Sequence, residues 1–128
     1  MAPRRIRSRP DLDPKSELPL SAVVLHILLA LADGERHGYG IAQAIDAATH
    51  GEIRTGPGTL YGSIQRMLTS ELIEDAPRTR QTSDEDERRR YYRMTAFGER
   101  VLQLELDRLA DLVAAARAKH LLRDPEPA

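Results

Sequence analysis

The chain has 128 residues, no Cys, 30% charged side chains and a net charge of −1, a size that suits one domain with a real core. Without Cys there is no disulfide framework and no thiolate chemistry, and a reducing cytoplasm is the default compartment. The near-neutral total argues against indiscriminate nucleic-acid binding, but residues 1–15 carry five basic and two acidic side chains and residues 78–93 carry six and four, so local patches matter more than the sum.

Residues 1–15 are Pro- and Arg-rich, lack apolar periodicity and read as a flexible basic arm without the apolar stretch of a signal peptide. Ser16 and Pro19 predict the start of a helix over about 18–33, closed by Asp33 and Gly34. Its apolar run, Leu18 to Ala32, is too short and too interrupted for a membrane span. A second helix follows Gly38, with Ile41, Ala42, Ile45 and Ala48 on one face, and stops near Gly51. A third, over 57–70, takes in "GPGTLYGSIQRML" and turns Leu60, Ile64, Met67 and Leu68 toward a core. The segments "LIEDAPR" (72–78) and "RRRYYRMT" (88–95) read as a two-stranded ribbon around a polar loop. A last helix runs from the N-cap Thr95 to about Leu122, and residues 123–128 form a flexible tail. The expected fold is mainly α with a small β-hairpin wing: a winged helix-turn-helix over 16–94, then a long C-terminal dimerisation helix over 95–122.

The third helix spends stability, since each interior glycine costs about 1 kcal/mol relative to alanine. Opposite its apolar face lie Thr59, Gly62, Ser63 and Arg66, three of them small, which lets the backbone sit deep in a major groove about 12 Å wide. The competing explanation is that Gly62 packs this helix tightly on its own neighbour. On the groove reading, Arg66 reaches a guanine edge, and Thr59 and Tyr61 fix the helix on phosphates. Arg78, Arg80, Arg88, Arg89, Arg90 and Arg93 flank the hairpin loop as phosphate contacts. The acidic tip, Asp84 to Glu87, must then turn away or pair with those arginines. A winged-helix protein–protein module is the rival reading, favoured by the net charge and the acidic tip.

Three stretches together resemble the PadR-like transcriptional regulators: "HGYGIAQAI" (37–45), "GPGTLYGSIQRML" (56–68) and "DERRRYYRMTAFGERVL" (86–102). The resemblance implies a dimeric winged-helix repressor that leaves its double-stranded DNA operator when a small-molecule effector binds. It also implies a DNA face made of Thr59, Tyr61, Ser63 and Arg66, of His37 and Tyr39 at the start of the second helix, and of the wing arginines. One departure stands out: Glu71 occupies a place where the family usually has glycine. If that place needs a left-handed conformation, a residue with a Cβ costs about 1–2 kcal/mol; otherwise the helix ends differently.

In the last helix Leu102, Leu106, Leu109, Val113, Ala116 and His120 follow alternating spacings of four and three, with Leu112 widening the stripe. That seam predicts a homodimer, and two-fold symmetry predicts a pseudo-palindromic operator with half-sites about one helical turn apart. The chain has no Trp and its one Phe, Phe97, falls in the first turn of that helix, so an aromatic sandwich for an effector is not expected there. The four histidines are scattered without ligand spacing, and no nucleophile or Walker motif is present. No metal, cofactor, membrane partner or catalysis is expected.

Overall fold

The apolar spacings resolve into four helices and a small sheet in the computed structural model, which describes residues 12–77 and 90–123. The elements are α1 (Ala22–Leu31), β1 (Arg36–His37), α2 (Gly38–Ala48), α3 (Pro57–Thr69), β2 (Ile73–Asp75), β3 (Tyr91–Met94) and α4 (Ala96–Ala118). Most of the arm, the hairpin loop with Arg78, Arg80, Arg88 and Arg89, and residues 124–128 lie outside the described residues.

The first helix begins later than its apolar run suggests. Ser21 Oγ accepts the Val24 N–H at 3.3 Å, which satisfies one of the amides a helix start leaves open. Upstream, Asp13 caps a separate 3-10 turn, Pro14–Glu17, by accepting the Lys15 N–H at 3.0 Å. That turn packs against α4, so residues 12–15 join the folded body rather than the arm. Glu105 fastens this strap. Its side chain is 1% exposed, and Oε2 accepts the Leu20 N–H at 2.9 Å. Arg108 donates to both carboxylate oxygens, at 2.6 and 3.0 Å. The Arg108 guanidinium, helped by the Leu20 amide, holds the Glu105 carboxyl below its ordinary value against the opposing effect of burial.

One core joins all the helices: Ile27, Leu28 and Leu31 of α1, Ile41 and Ile45 of α2, Leu60, Ile64 and Met67 of α3, then Ile73, Tyr92, Phe97 and Val101. Full burial of each large aliphatic side chain is worth about 1.5–3 kcal/mol. The sheet has three strands rather than the two of the expected ribbon, in the order β1-β3-β2 and antiparallel throughout. Tyr91 pairs with His37 and Tyr92 with Arg36, while Ile73 pairs with Met94. Two residues are too few to show strand alternation, which is why β1 has no sequence signal.

The hinge between α3 and the wing lies at Glu71, whose φ is +67°. This place does take the left-handed conformation. The Leu72 N–H reaches the Met67 carbonyl at 2.9 Å and the Glu71 N–H reaches that of Leu68 at 3.1 Å, a Schellman ending with glutamate where glycine is usual. Thr95 reinforces it from the far side. Its hydroxyl donates to the Glu71 carbonyl at 2.7 Å and accepts the Gly98 N–H at 2.9 Å, so the cap of α4 also fixes the end of α3. A Cβ on Gly98 would collide with the Leu72 carbonyl and lie 3.0 Å from its carbon. Only glycine lets α4 start there.

The first turns of α4 fill the core. Leu102, which spacing puts in the seam, is 5% exposed and belongs to the core of the chain itself. Beyond it, Leu106, Leu112 and Val113 are 39%, 54% and 44% exposed, with Leu109 and Ala116 half-buried. The helix ends at Ala118 rather than near Leu122. His120 turns left-handed there and the Leu121 N–H closes on the Ala116 carbonyl at 2.9 Å. Among the described residues no helix is long and apolar enough to cross a membrane.

Candidate nucleic-acid interface

The site is built on α3, whose inner line of Leu60, Ile64 and Met67 is locked into the core. Ser63 joins that buried set, and at 100° per residue Gly58, Gly62, Gln65 and Thr69 fall within about 60° of arc opposite it. A Cβ added to Gly56 or Gly58 would meet nothing within 4 Å, and one at Gly62 only the Arg66 guanidinium at 3.6 Å. Among the described residues no neighbouring element occupies this face. Packing against a described neighbour therefore does not account for Gly62. Pro57 opens the helix and Gly56 is its N-cap without a side-chain hydrogen bond, a start that leaves backbone amides directed outward.

Flanking residues divide into two edges. On one, Tyr61 is 46% exposed and its phenol rests where a Cβ of Gly38 would be, with Cζ 2.6 Å from that point. Glycine at 38 thus leaves the space that the Tyr61 ring occupies. On the other edge lie Thr59, exposed, and Arg66, whose Nη2 donates to Ser63 Oγ at 3.1 Å. Ser63 itself is 2% exposed. It faces the protein rather than outward, because its angle on the helix brings it closer to the core line than to the outer one. Its role here is to hold Arg66.

His37 caps α2, with Nδ1 accepting the Gly40 N–H at 2.9 Å. Its ring stacks on Tyr39 at 6.4 Å and meets Tyr91 edge-on at 5.2 Å. Tyr39 is exposed, so His37, Tyr39 and Tyr61 are brought together at the start of α2 beside the outer face of α3. Burial pushes the Tyr92 hydroxyl above its ordinary value, against the pull of Arg90.

The wing is less cationic than its arginine count suggests. Arg90 forms a two-pronged pair with Asp75, Nη2 to Oδ1 at 2.7 Å and to Oδ2 at 3.0 Å, and its guanidinium lies 5.4 Å from the Tyr92 ring. The Asp75 hydrogen bond raises the Arg90 pKa further. Arg93 donates to Glu74 at 2.8 Å across the strand pair that places them opposite each other. Arg90 is therefore already matched by a carboxylate, which its sequence neighbourhood did not reveal. Sequence reasoning also passed over Gln65, although the 3.6-residue period counted from the core positions points to it.

A helix pair, an outward glycine-faced helix and an antiparallel wing define a winged helix-turn-helix protein of the kind that carries DNA-binding regulators. Residues 27–104, more than half of the chain, match the model of the transcriptional regulator PadR-like family. The chain belongs to that family. It is 34% identical over 96 residues to transcriptional regulator Rv3488 of Mycobacterium tuberculosis, covering 75% of this chain and 83% of that protein. It is 35% identical over 86 residues to an uncharacterised 37.1 kDa protein in a transposon of Streptomyces fradiae, covering 67% of this chain but only 22% of that protein. Thus the chain spans about a fifth of the length of the Streptomyces protein. A PadR family transcription regulator of solved structure, from Clostridium difficile, matches with a TM-score of 0.64 at 23% identity, over 77% of this chain and 97% of that one.

Proposed function

We propose that this PadR-family protein binds a specific operator as a homodimer, with α3 in the major groove, and represses transcription until a small-molecule effector releases it. The observation that carries the reading is the open outer line of α3, where Gly58 and Gly62 meet no packing neighbour among the described residues. One glycine lies inside α3, Gly62, and it costs about 1 kcal/mol of helix stability, which no described residue recovers by packing on it. Close approach to a groove does. Tyr39, Tyr61 and Thr59 are exposed at the rim of that line, in reach of phosphates. The uncovered stripe on α4, Leu106, Leu109, Leu112 and Val113, supports self-association, because a stripe left in water would be an exposed apolar patch. A cytoplasmic location follows from that role.

Selection of bound sequences from a random duplex pool, across a salt series, tests this. An inverted repeat with affinity falling steeply as salt rises is the expected result. Weak binding without sequence preference would refute it. One observation favours the rival protein–protein module: Asp75 and Glu74 already pair the wing cations Arg90 and Arg93. That module would show no salt-dependent DNA binding at all.

A further inference from the structure

We infer that Gln65, rather than Arg66, is the residue of α3 that reads a base, and that the base is an adenine. This assignment rests on the DNA-binding reading above and deepens it. Gln65 stands in the outer line of the helix, three residues after Gly62 and seven after Gly58. Those two positions present bare backbone, so the side chain closest to the groove floor is the one set between them and Thr69. Gln65 is exposed, and its side-chain amide makes no hydrogen bond among the described residues. A primary amide offers one donor and one acceptor side by side, which match N7 and the N6 amino group of adenine in the major groove.

Arg66 is placed for other work. It lies about 100° round the helix from Gln65, on the edge that borders the Glu17, Pro19 and Leu20 strap. Its guanidinium folds back toward Gly62 and is held by Ser63 Oγ at 3.1 Å. A cation tethered at the edge of a recognition helix meets the phosphate wall of the groove rather than its floor. Gln65 therefore supplies discrimination and Arg66 supplies charge.

The test compares the full chain with Gln65→Ala, Gln65→Glu and Arg66→Ala by selection from a random duplex pool at several salt concentrations. Both positions are exposed, and thermal unfolding of each variant checks that the fold is kept. Wild type should enrich A·T at one position of each half-site. Gln65→Ala should lose that preference by about 5- to 150-fold, with an unchanged salt slope, and Gln65→Glu should move it toward cytosine. Arg66→Ala should weaken all sequences alike and reduce the salt slope by about one. If Gln65→Ala enriches the same sequence as wild type, or if Arg66→Ala is the variant that changes base preference, the assignment is overturned while DNA binding stands. If wild type enriches nothing, the DNA-binding reading fails and the assignment with it.

Discussion

Replacing Gly62 with alanine sets stability against function in one measurement. The added Cβ meets only a terminal nitrogen of Arg66 at 3.6 Å, an ordinary contact with a flexible group. The folded chain accommodates it without a shift, and the helix gains the propensity difference of about 0.5–1 kcal/mol. For a chain of this size that raises the midpoint of thermal unfolding by about 2–5 °C. On DNA the same methyl stands between helix and groove. A gap of about 0.5–1 Å forfeits a quarter to a half of each van der Waals contact, so operator affinity should fall roughly tenfold, about 1.4 kcal/mol. Circular dichroism melting and fluorescence anisotropy on a selected operator read the two quantities. Gly98→Ala is the contrast: its Cβ runs into the Leu72 carbonyl, and the variant should lose about 1–3 kcal/mol of stability. A Gly62→Ala protein that melts lower than wild type would refute the open-face argument. One that melts higher yet binds the operator unchanged would refute the groove.

Three further outcomes follow from named contacts. Asp75→Asn should free Arg90 and raise DNA affinity severalfold with a steeper salt dependence, while stability changes by less than about 1 kcal/mol because the pair is exposed; melting curves and a salt titration check both. Glu105→Gln should cost about 1.5–3 kcal/mol at neutral pH through its weakened bond to the Leu20 amide, measured by urea unfolding. Because the folded-state pKa of Glu105 lies below its ordinary value of 4.5, its contribution is complete above that value and is lost as pH falls through the depressed one. Urea unfolding of wild type should therefore show a loss of stability below pH 4.5 that the glutamine variant lacks in part. Leu112→Asp with Val113→Asp changes side chains exposed in the protomer, so sedimentation should report a monomer with an unchanged helical spectrum. A dimer of wild-type strength in that double variant would place the interface elsewhere.

The residues themselves determined the local pieces: the apolar period of α3, the Thr95 cap, the helix order and the charge-rich segments flanking the wing loop. Each of these is a contest between neighbours within one or two turns, and short-range sterics and hydrogen bonding settle it. At Glu71 the family resemblance raised a backbone cost but left the helix ending open, and the φ of +67° decides it. Tertiary structure decided what each exposed-looking side chain faces. Ser63 and Leu102 follow helical spacings that fit an outer face or a seam, yet both are buried, because the other elements cover one side of each helix and not the next. Arg90 reads as a free cation until β2 brings Asp75 beside it, 15 residues away in sequence. Glu105 reads as one more surface acid on a helix until Leu20 arrives from 85 residues upstream. β1 exists only because β3 supplies its hydrogen bonds. Periodicity fixes which residues share a line on a helix; only the packed chain says which line is covered, and partners distant in sequence carry no signal in the local pattern.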